Sequence, residues 1–103
     1  MIAFAASMII AAALMQAAAS GQRQQFVACL KQTVEKANAG KMKPENFGAF
    51  ARLNCATQVS GFKQGLVSFD VKNGVSRKRA ESDAELQIED YVVGASEKID
   101  PGS

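Results

Sequence analysis

Two cysteines, Cys29 and Cys55, constrain this chain more than any other feature. An even cysteine count beside an export-type N-terminus reads as one disulfide rather than as reactive thiols. The spacing supports this. Phe26, Leu30, Thr33, Val34 and Ala37 recur at helical intervals, predicting a helix over 22–38. Gly40 is a suitable stop, and Pro44 with Glu45 suits the first turn of a following helix. The chain therefore turns near 39–44. Cys29 lies ten residues before Ala39 and Cys55 eleven after Pro44, so each sits roughly 15 Å from the turn at 1.5 Å per residue. In an antiparallel helical hairpin they are level. A bond closing that loop stabilises by about 3.5 kcal/mol in the chain-entropy account.

The remainder also reads as helix. From Pro44 to Asn73, the residues Phe47, Ala51, Cys55, Val59, Phe62, Leu66 and Phe69 form one stripe. A second strip beside it (Phe50, Asn54, Thr57, Gly61, Gly65, Ser68) ends in small residues. Gly61 and Gly65 are expected to allow close packing against the helix that carries Tyr91, and a kink near 61–65 is a further expectation. Asn73-Gly74 ends the segment, and Ser76 is the expected N-cap of a third helix. There Ala80, Ala84, Ile88, Tyr91, Val92, Ala95 and Ile99 share a face. A break near Ser82, where Ser82 and Glu85 form a capping box, would give two short helices instead. No segment alternates with period two for long. The expected fold is all-α: a disulfide-linked antiparallel hairpin with a third helix, or two short ones, packed across it.

Seventeen of the first nineteen residues are apolar and none is charged, whereas residues 20–103 hold thirty-two apolar residues in eighty-four. Residues 1–19 read as a signal segment cleaved after Ala19, with Ala17 and Ala19 as the small residues of the site. The alternative is an uncleaved membrane anchor, although the run barely reaches the ~20 residues a span needs. The expected division is 1–19 signal, 20–99 helical domain and 100–103 frayed tail, in the periplasm or outside the cell.

The chain offers little for catalysis. Histidine is absent, which removes Ser-His and Cys-His nucleophiles, and two thiols alone make no zinc site. There is no phosphate-binding glycine loop. Glu81, Glu85 and Glu89 form one carboxylate stripe, read as a solvated helix face rather than a calcium site, because the loop glycine of such a site is missing. The reading is non-enzymatic, without metal or cofactor.

Charge is divided along the chain. Residues 20–79 carry eleven Lys/Arg and three Asp/Glu, while residues 80–103 carry one Lys and seven Asp/Glu. An acidic third helix docking along a basic hairpin accounts for this, with Arg77–Glu81 and Arg79–Asp83 as i,i+4 pairs. Arg77, Lys78 and Arg79 form the one true basic cluster. The lysines are not interleaved with aromatics, which argues against nucleic acid.

Leu86 and Val93, seven residues apart, fall opposite the expected buried face and are flanked by Glu89 and Asp90. They are the candidate partner-binding patch, for another protein or for a second copy. The expected function is an interaction module. The alternative is a membrane-associated accessory protein that keeps its N-terminal helix and turns its basic surface toward anionic headgroups.

Overall fold

A computed structural model describes residues 20–101 in full and residues 2–19 as helical backbone alone. The expected signal segment, residues 1–19, thus lies outside the fully described residues. Those residues hold four α-helices and no strand: α1 (Ile2–Ala39), α2 (Pro44–Asn54), α3 (Ala56–Lys72) and α4 (Arg77–Ser96). The all-α expectation holds, and Cys29 and Cys55 are bonded with their Cα atoms 6.0 Å apart.

The stripe on α1 packs as its spacing predicts, with Phe26, Leu30, Thr33 and Ala37 buried. Thr33 is the one buried polar side chain among the described residues. Its hydroxyl donates to the Cys29 carbonyl at 2.7 Å, and its oxygen lies 3.3 Å from Cys55 Sγ. The hydroxyl is therefore satisfied within its own helix and packs against the disulfide, so its burial leaves no unpaired donor.

The expected single helix from Pro44 to Asn73 is divided at Cys55, and α3 continues as helix through 61–65. Cys55 has φ −109° and ψ 26°, away from helical values, and it both ends α2 and precedes α3. Its N–H still donates to Ala51 O, and its carbonyl accepts from Val59 N, both at 2.8 Å. The two helices therefore meet at the cysteine without a loop. The residue held to α1 by its sulfur is the one that leaves the helical conformation.

Beyond this junction the buried face of α3 turns. Phe62 is fully buried, but Val67 follows it inward, while Leu66 and Phe69 are only half-buried. Val67 packs with Ala80 and Ala84 of α4 in a small second cluster. The close approach of α3 and α4 thus uses alanines of α4. In the strip expected to be small and packed, Thr57 and Ser68 are exposed. A Cβ at Gly61 would come within 3.9 Å of Gln22 Nε2, so this glycine faces α1 and not the helix with Tyr91.

Two helices end in the same way. After α3, Val75 N donates to Asp70 O and Gly74 N to Val71 O, with Gly74 at φ 92°. This is a Schellman motif with glycine in the left-handed position. After α1, Met42 N donates to Ala37 O and Lys41 N to Asn38 O, and Lys41 takes φ 55°. Gly40, the expected stop, is the residue before the left-handed one, and a lysine carries a conformation that costs an L-residue about 1 kcal/mol.

The third helix is continuous from Arg77 to Ser96, without a break at Ser82. Ser76 Oγ accepts from Arg79 N at 3.3 Å, the expected cap. Ala80, Ala84, Ile88, Val92 and Ala95 are buried along it, followed by Ile99. Asn38 holds the end of the chain against α1. Its amide donates to Lys98 O at 3.3 Å and its carbonyl oxygen accepts from Asp100 N at 2.8 Å, so Asp100, the first residue of the expected frayed tail, is tethered.

Candidate interaction surface

Three aromatic rings join α1, α3 and α4. Phe26 and Phe62 lie 5.6 Å apart, and Tyr91 presents an edge to each at 5.9 Å. Phe26 and Phe62 are fully buried, whereas Tyr91 is half-exposed. The Arg23 guanidinium stands 5.6 Å over the Phe62 ring. This cluster fixes the separation of α1 and α4 at one end, and the Asn38 clamp fixes it at the other.

Between those two ties the helices leave a groove of about 680 Å³. Val27, Leu30 and Val34 of α1 form one wall, and Tyr91, Gly94 and Ala95 of α4 form the other. Val27 is 41% exposed. A Cβ at Gly94 would meet nothing within 4 Å, so the glycine opens this wall rather than admitting a neighbour. Lys31, Glu35, Asp90 and Lys98 form the rim. All four are exposed, and none belongs to an ion pair among the described residues. An open, mainly apolar groove with unpaired charges along both edges has the composition of a binding surface.

The residues singled out from sequence are distributed differently. Leu86 and Val93 point outward, 63% and 47% exposed. Glu89 is not free: it accepts from Arg52 Nη2 at 2.7 Å, while Glu85 accepts from Arg52 Nη1 at 3.3 Å. The carboxylate stripe stays largely solvent-exposed, as expected, and two of its members also join α4 to Arg52 of α2. The Glu89 hydrogen bond is the first cause that raises the Arg52 pKa above its ordinary value, with Glu85 adding to it against partial desolvation. A raised basic pKa contributes stability present below the unfolded value and lost only as pH climbs through the folded one. That window lies far above neutrality, so the arginine's own titration does not change stability at physiological pH. Of the four patch residues, Asp90 alone lines the groove.

Arg77, Lys78 and Arg79 occupy the exposed first turn of α4, where positive charge opposes the helix dipole. Arg79 pairs with Asp83 at 3.7 Å. The expected Arg77–Glu81 pair is not among the ion pairs of the described residues; both instead line a smaller hollow with Lys63, between α3 and α4.

Sequence reading missed Val27 and Gly94. Val27 lies off the Phe26–Leu30 stripe, and its partner wall is more than sixty residues away. The available signal was Gly94 itself, a glycine inside a helix with no capping duty and valines on its N-terminal side.

Comparison with protein-family models, with curated proteins and with solved structures finds no match to this chain. The functional reading therefore rests on the geometry above.

Proposed function

We propose that this chain is a small exported helical module, non-catalytic, that binds a protein partner in the groove between α1 and α4. In this reading α1 and the α2–α3 arm are an antiparallel hairpin stapled by Cys29–Cys55, with α4 laid across it to shape the groove. The observation that carries it is the open apolar channel whose four rim charges have no partner within the described chain. The disulfide supports export, since such bonds persist in oxidising compartments. The apolar residues 1–19 supply the segment that export needs.

Filling the groove tests the reading. Gly94→Trp places an indole where a Cβ meets no neighbour, so the helix tolerates it and the melting temperature stays near wild type. Capture of partners by chemical cross-linking in the host then falls by about tenfold, the loss expected when a bulky side chain occupies the centre of an interface. Leu53→Trp, at an exposed site on α2, leaves capture unchanged. Equal capture by both variants would remove the groove as the binding surface.

A further inference from the structure

We infer that two copies of this chain meet along the rims of the α1–α4 groove, groove facing groove, as a homodimer; this rests on the groove being the binding surface. The four rim charges form a pattern that a second copy can match. On α1, Lys31 is followed one turn later by Glu35; on the opposite wall, Asp90 of α4 is followed by Lys98 in the turn just beyond the end of that helix. The two helices run in the same direction across the groove. Phe26 meets Tyr91 at one end, and Asn38 holds the backbone of Lys98 and Asp100 at the other. Counted from the Asn38 tie, residue 33, midway between Lys31 and Glu35, is level with Gly94, midway between Asp90 and Lys98; counted from Phe26–Tyr91 it is level with residue 98, so the two midpoints agree to within about one helical turn.

The rim is thus positive over negative on one side and negative over positive on the other, balanced about one point. Such a pattern is complementary to itself. A two-fold axis lying in the surface and crossing both helices brings Lys31 onto the partner's Glu35 and Asp90 onto the partner's Lys98, twice each. An axis along the groove brings Lys31 onto the partner's Asp90 and Glu35 onto the partner's Lys98, again twice each. Either satisfies the rule that a two-fold interface pairs i with j and j with i. Gly94 stands at the level of the symmetry point, where its missing side chain leaves room for close approach. A partner of one sign would meet repulsion at half of the rim, whereas a second copy meets attraction at all of it. The strip is two helices wide and about 18 Å long, less than the area of a stable interface, so the dimer is a weak, reversible one with a Kd on the order of tens of micromolar.

Sedimentation velocity over a concentration series tests this, on the oxidised protein in the form its host accumulates. Wild type shifts from monomer to dimer. Lys31→Glu, Glu35→Lys and Asp90→Lys each change exposed side chains and keep wild-type circular dichroism. Each weakens dimerisation by about tenfold, because symmetry repeats every repulsion. One mixture then restores the dimer: Lys31→Glu with Glu35→Lys if the axis crosses the helices, or Lys31→Glu with Asp90→Lys if it follows the groove. A wild type that stays monomeric to about 100 μM, above the Kd such an interface implies, overturns the homodimer, as does failure of both mixtures. The Gly94→Trp capture result separates the two claims. If capture is lost although wild type is monomeric, the groove binds something other than its own copy.

Discussion

Replacing Cys55 with serine lowers the unfolding free energy of the oxidised protein by about 2–4 kcal/mol, measured from denaturant midpoints. Two effects act in the same direction. The bond closes a loop with a sequence separation of 26, so its loss releases the unfolded chain. Cys55 is also fully buried beside Thr33, and a serine hydroxyl there needs a partner that the sulfur did not. Mild reduction of the wild type produces the first effect without the second, so the difference between the two measurements isolates the buried hydroxyl. Thiol labelling before reduction finds no reactive cysteine; two labelled thiols in the native oxidised protein would contradict the staple. A loss below about 1 kcal/mol would show that the bond constrains little of the unfolded chain.

Phe62→Ala has an effect at least as large, about 3–5 kcal/mol, because it removes a fully buried ring at the meeting point of three helices. The two contacts it breaks, to Phe26 and Tyr91, help tie α3 to α1 and to α4, beside the separate Val67 cluster with Ala80 and Ala84. A second consequence follows at the surface: Tyr91 loses the ring against which its edge rests, and the groove wall loosens while α1 and its disulfide stay in place. Leu53→Ala, at a side chain 81% exposed, changes stability by no more than about 0.5 kcal/mol. Equal effects at the two positions would mean that the aromatic cluster does not hold the fold.

What was legible in the sequence is what local pattern determines. Phe26, Leu30, Thr33 and Ala37 turn inward as a helical period requires, and so do Ala80, Ala84, Ile88, Val92 and Ala95. Ser76 caps α4 and Gly74 ends α3 by the chemistry of their own side chains or lack of one. The cysteine pairing followed from helical rise and one turn. The misreadings share a different cause. The break falls on Cys55, the residue tied covalently to another helix, and no propensity around Asn54–Ala56 announces it. Val67 replaces its neighbours in the core because α4 arrives on that side of α3. Lys41 adopts the left-handed conformation beside an available glycine because the Schellman hydrogen bonds to Ala37 and Asn38 fix the register. The groove belongs to this second class. Its two walls are separated in sequence, and the patch read from α4 alone, Leu86 with Val93, includes neither wall. Glu89 looked free only because its partner, Arg52, lies on α2.

The central claim, that the α1–α4 groove is where this protein meets its partner, is tested most directly by a photo-cross-linking amino acid introduced at Val27 in the host. Val27 is exposed in the groove wall, and Leu53, more exposed on α2 and outside the groove, is the reference position. The account predicts a discrete adduct from position 27 that disappears in the Gly94→Trp background, and none from position 53. An adduct of twice the chain mass identifies a second copy, and any other discrete mass identifies a different protein in the same groove. No adduct at position 27, or the same adducts from both positions, would contradict the account.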